Sequence, residues 1–184
     1  INAGTAAAAY VSFSGLLRSK RTGLAASLLY TLSVYRLIDI YTRSAVGEAL
    51  AMVFLPLVIW GMYELFLGDR RKWYLSALGL TGIMQSHVLT TEMPLLFGGI
   101  FGLCFITRLR EKGRIPALLK AAGATVLLNL GRIALLLQHM GYPFKVFSVE
   151  SVLSWWTVTL PKVFDLLLFN TNERTYPGVQ NGGE

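Results

Sequence analysis

Charge is what this sequence has least of. Lys, Arg, Asp and Glu make up 15% of its 184 residues, against about 25% in an average soluble domain. A hydrophobic core does not account for the deficit. The apolar residues, 54% of the chain, fall in runs that approach the roughly 20 residues a membrane span needs. Cysteine is nearly missing. Cys104 stands alone in an apolar run, which excludes an intrachain disulfide and any thiolate metal spacing and leaves a small apolar residue. No Walker loop, GxSxG elbow, HExxH or CxxC occurs, so the strong soluble-enzyme signatures are absent. No signal peptide with a charged start and a cleavage site is found either. The chain opens at Ile1 and closes on a Pro- and Gly-containing stretch, which reads as a fragment of a longer protein.

What is present is a series of apolar runs at about 3–17, 22–34, 45–67, 73–87, 94–107 and 115–137. The net charge of +7 sits in short clusters between them. That distribution suits membrane topology better than a nucleic-acid face, and nucleic acid is not expected as a partner. The loops at 18–21, 68–72 and 108–114 carry three, three and four Lys/Arg, which assigns them to the cytoplasmic side. The stretches 35–44 and 86–93 and the tail after 138 then face outward. Pro56 inside the third run predicts a kink whose freed carbonyl is re-satisfied by a neighbouring helix. Small residues at Gly98, Gly99 and Gly102 and at 121–124 predict close helix packing. From Val149 to Leu167 apolar residues recur at helical spacing, with Trp155 and Trp156 suited to the headgroup level. This predicts an amphipathic helix on the outer surface, with a seventh span as the alternative.

The fold expected is therefore all-α, a polytopic transmembrane helix bundle of about six spans plus an outer-surface amphipathic helix. Residues 1–143 form the bundle, with a partial first span. Residues 144–170 form the interfacial helix or seventh span, and 171–184 an outer loop cut short. The setting is the bacterial cytoplasmic membrane, with the lipid bilayer as partner.

The candidate site is defined by depth. Arg36, Asp39, Arg43, Glu48, His87 and Arg132 all map toward the outer side, while positions near the bilayer centre carry no charge. Ion-coupled transporters tend to place charged sites at the midplane. An enzyme acting on a lipid headgroup gathers its polar groups at one surface, where arginines can hold a phosphate and a carboxylate can act as a base. Bland readings stand beside these: arginines that snorkel, Glu48 at a helix N-terminus or paired with Arg43, and His87 as a packing residue. Glu64 and Asp69 are expected to pair with Arg70 or Arg71. No metal site is indicated, and no cofactor is assigned.

The order YRLIDIYTR at 35–43, GEALA at 47–51, FLPL at 54–57 and SHVLTT at 86–91 resembles bacterial multi-pass proteins of the YfhO-like group. These look like relatives of the GT-C glycosyltransferases. The resemblance covers about residues 20–140. It implies transfer from a polyprenyl-phosphate sugar at the outer membrane face, with Arg36, Arg43 and His87 on the donor-phosphate side. In that family the catalytic acid usually lies in the first outer loop, so no residue here takes that role. A transporter or flippase of lipid-linked or anionic substrates, and a non-catalytic scaffold of envelope assembly, are the alternative functions.

Overall fold

The computed structural model describes residues 1–139. The expected surface helix at 144–170 and the loop at 171–184 lie outside the described residues. Among those described every regular element is helical: α1 (Asn2–Leu17), α2 (Lys20–Thr31), α3 (Val34–Tyr41), α4 (Val46–Phe66), α5 (Trp73–Ser86), α6 (Val88–Cys104), α7 (Ile106–Leu109), α8 (Arg114–Leu128) and α9 (Leu130–His139).

Local chemistry sets the boundaries. Arg18 leaves α1 in the left-handed region at φ 52°. Ser19 then caps α2, its hydroxyl accepting the Thr22 N–H at 3.3 Å, which satisfies one of the free amides of the first turn. Asp69 does the same for Arg71 N–H at 3.0 Å in the turn before α5. Gly113 precedes α8 at φ 90°, a conformation that glycine adopts without steric cost. Most of the 86–93 stretch, which the sequence leaves between two apolar runs, is instead inside α6, whose first turn the His87 side chain caps.

The expectation of about six spans is corrected. Of the described helices, α4 is long and apolar enough to cross a membrane. The total rises to at most three if the pairs α2–α3, bent by 45°, and α8–α9, bent by 65°, each count as one span. α1, α5 and α6 have 16, 14 and 17 residues. At 1.5 Å per residue they reach about 24, 21 and 26 Å, short of a hydrocarbon core of about 30 Å.

α4 is the central element. It packs on α5 and α1, and Ala51, Val58, Leu80 and Ile83 form one apolar cluster between α4 and α5. The two backbones approach closely. A Cβ on Gly61 would lie 2.3 Å from Ser76 N, and one on Gly79 would lie 2.6 Å from Val58 Cγ2. Pro56 is buried within α4 and removes the amide that would bond the Met52 carbonyl. Tyr30 Oη of α2 donates to that carbonyl at 2.6 Å, so a neighbouring helix supplies the missing donor.

The surface of the described residues departs from the usual pattern of a water-soluble protein. Leu29, Leu89, Leu103, Leu119 and Leu127 are each about two-thirds exposed or more, while Thr5, Ser12, Arg36, Asp39, Glu64, Ser76 and Asn129 are buried. Charged groups in particular are almost never fully buried in soluble domains.

Candidate functional site

α4 carries ionisable side chains only near its ends: Glu48 in its first turn and Glu64 in its last. Sixteen residues of helix separate them by about 24 Å. A polar network gathers at each end.

At the Glu48 end, α3 presents Arg36 and Asp39 on its buried face. Arg36 is 1% exposed. Its Nη1 donates to Thr31 O at 2.9 Å. Its Nη2 donates to Asn2 Oδ1 at 2.7 Å and to Thr5 Oγ1 at 2.9 Å. The guanidinium thus ties α3 to α1, and Nε alone has no partner. Asp39 is fully buried. Its Oδ1 accepts from Arg43 Nη1 at 2.6 Å, while Oδ2 has no partner. The same Arg43 nitrogen lies 3.4 Å from Glu48 Oε2, and Glu48 Oε1 accepts from Tyr35 Oη. The Arg43 side chain remains 42% exposed, which makes it the arginine of this group open to a ligand. Asn2 Nδ2 completes the edge by donating to Tyr41 Oη at 3.1 Å.

Arg36, Asp39, Arg43 and Glu48 are therefore at one end of the helices. Arg36 is buried rather than extended toward an interface, and Glu48 combines both positions open to it, the helix N-terminus and the Arg43 pair. His87 lies beside the start of α4, where a Cβ on Gly47 would meet His87 Cδ2 at 3.4 Å. Its Nδ1 accepts the Thr90 N–H at 3.3 Å and lies 2.7 Å from Thr90 Oγ1. Nδ1 is thus taken up by the start of α6, and the cap role consumes one edge of the imidazole. Arg132 of α9 is half-buried and lines an open hollow of about 290 Å³ with Val88, Leu135 and Leu136.

Asn2, Thr5 and Tyr35 are among the partners in the network that stand outside the sequence-based candidates. Tyr35 was legible as a neighbour of Glu48 through the short turn that joins α3 to α4. Asn2 and Thr5 carried no such signal, because the contact with Arg36 spans more than thirty residues.

Between α5 and α8 a smaller polar clamp forms. Asn129, fully buried, donates to Thr81 Oγ1 at 3.2 Å and to Thr125 O at 2.7 Å, and accepts from Gln85 Nε2 at 2.9 Å.

At the opposite end of α4, Glu64 accepts from Trp60 Nε1 at 3.0 Å, Asp69 N at 2.7 Å and Lys72 Nζ at 2.6 Å. Glu64 therefore pairs with Lys72, and Asp69 caps a turn, where the sequence suggested Arg70 or Arg71 as partners. Arg114 reaches Leu65 O at 2.9 Å and Glu111 Oε2 at 2.8 Å. Hydrogen bonds from Arg108 and Arg114 hold the Glu111 carboxyl below the ordinary glutamate range.

No known family model matches the chain, and no solved structure matches it. It is 32% identical over 108 residues to an uncharacterized protein of Lactococcus lactis subsp. cremoris (strain MG1363), and that alignment takes in 57% of this chain and 17% of the relative. The matched region thus spans under a fifth of the relative's length.

Proposed function

We propose that this chain is a helical part of a multi-pass protein of the bacterial cytoplasmic membrane that handles lipid-linked sugars at the outer face, in the manner of a glycosyltransferase. Three features support the reading. Many large apolar side chains face outward while Arg36, Asp39 and Glu64 are enclosed, an arrangement suited to hydrocarbon as solvent. α4 has no Asp, Glu, Lys, Arg or His between Glu48 and Glu64, which disfavours a midplane ion site. The observation that carries the proposal is Arg43: its Nη1 is fixed by the buried Asp39 carboxylate at 2.6 Å while much of the side chain is exposed. A guanidinium so oriented is suited to a polyprenyl-phosphate oxygen.

The test is sugar transfer from a polyprenyl-phosphate donor by the full-length protein in membranes. Arg43→Ala should reduce transfer at least tenfold, on the order of the 1.5–3 kcal/mol of a hydrogen bond to a charged group, with unchanged helicity. Unchanged transfer removes Arg43 from the site. Movement of the intact donor across proteoliposomes without a new glycosidic bond would replace the enzyme by a flippase.

A further inference from the structure

We propose that the end of the helical unit around Glu64 is a binding surface for the headgroups of anionic phospholipids in one leaflet. The inference rests on the membrane reading above and adds a partner at the end remote from Arg43. The turns at 18–21, 68–72 and 108–114 hold most of the chain's Lys and Arg, and the fold brings them together. Arg70 Nη1 donates to Lys112 O at 2.8 Å, and Arg114 Nη1 reaches across to Leu65 O and Gly68 O. Gly15, just before the first turn, backs onto the Trp60 ring, and Trp60 shares Glu64 with Lys72.

The cations divide into two groups. Lys72, Arg108 and Arg114 meet carboxylates. Arg18, Lys20, Arg21, Arg70, Arg71, Arg110 and Lys112 are exposed and take part in no ion pair among the described residues, so their charge is unneutralised by the protein. Directly behind this rim the surface turns apolar, with Leu17, Tyr74, Ile106 and Ile115 exposed. An acidic protein would require charge alone. Charge backed at once by apolar side chains, with Trp60 under Lys72 Nζ at 5.3 Å, fits the boundary between phosphate headgroups and acyl chains.

The full-length protein would be reconstituted in nanodiscs of phosphatidylcholine with a minor fraction of phosphatidylglycerol, and the retained lipid counted by mass spectrometry. Wild type should enrich phosphatidylglycerol over the bulk ratio. The exposed-charge variant Arg71→Gln/Arg110→Gln/Lys112→Gln should lose it with circular dichroism unchanged. At roughly fivefold per charge at low salt, removing three charges should cost up to about a hundredfold, and the loss should shrink at high salt. No enrichment by wild type, or equal enrichment by both proteins, overturns the proposal. So does an acidic protein that stays bound at the rim when phosphatidylglycerol vesicles are added. Recovery of the protein from the aqueous fraction with empty discs overturns the membrane reading as well, and the empty discs identify that case.

Discussion

Tyr30, Met52 and Pro56 allow a direct test of how α4 tolerates its proline. The Tyr30 hydroxyl donates to the Met52 carbonyl at 2.6 Å, and Pro56, four residues on, is buried and has no amide to offer. Tyr30→Phe removes one hydroxyl and leaves the carbonyl without either donor. Leaving a buried acceptor unsatisfied costs about 1–3 kcal/mol. Pro56→Ala restores the amide of an ordinary helical turn, so in that background the carbonyl keeps a partner when Tyr30 is changed. The same Tyr30→Phe step should then cost at most about 0.5 kcal/mol, the low end of a typical net hydrogen bond. A double-mutant cycle should therefore show a coupling energy of about 0.5–3 kcal/mol, most of that range above the roughly 0.3–0.5 kcal/mol scatter of independent sites. The assay is reversible unfolding in mixed micelles, with helicity followed by circular dichroism as denaturing detergent is raised. Equal costs of Tyr30→Phe in the wild-type and Pro56→Ala backgrounds would refute the argument and make the Tyr30 contact incidental.

Gly61→Val should destabilise by about 1–3 kcal/mol through overpacking, since even a Cβ there would lie 2.3 Å from the Ser76 backbone nitrogen; the same unfolding titration reads it, and an unchanged midpoint would mean that α4 and α5 are further apart. Asn129→Leu should cost about 1–3 kcal/mol by stranding Thr81 and Gln85 and should broaden the distance distribution between spin labels on α5 and α8; a sharp, unshifted distribution would show that the clamp is dispensable. Glu111 should titrate below an unfolded reference peptide, because Arg108 and Arg114 favour its charged form. Its contribution to stability is thus complete above the ordinary glutamate range and is lost as pH falls through the lowered folded value. Carbon-13 carboxyl shifts would follow the titration, and Arg108→Gln should move the midpoint upward.

The sequence made α4 legible almost to the residue, because its apolar run is long and carries charge only near its ends, and Pro56 within it does not end the helix. The same reasoning failed for the runs at 22–34 and 115–137. Hydropathy adds along the chain and does not register a backbone break inside an apolar stretch. Asn129 sits within the latter run, yet its buried amide bonds Thr125 O, Thr81 and Gln85 at the point where α8 turns into α9. The former run closes with α2 at Thr31, and α3 (Val34–Tyr41), with Ser33 as its N-cap residue, forms in the polar stretch that follows it. For the short helices, composition indicated hydrocarbon while length, which depends on caps such as His87 and Ser19, fell short. Among the candidate residues, the Asp39–Arg43–Glu48 grouping was close enough in sequence to be anticipated. The reach of Arg36 to α1 was not, since it depends on how two distant helices cross.

That reach bears on how the chain is made. α1 and α2 leave the ribosome before Arg36 does, and neither Asn2 nor Thr5 can meet the guanidinium until α3 follows. An arginine released sideways into lipid without those oxygens would face a penalty that translocon measurements put near about 2.5–3.5 kcal/mol. Under the membrane reading proposed above, the first three helices are expected to stay at the insertion site and enter the bilayer as one folded parcel, with Arg36 already closed inside it.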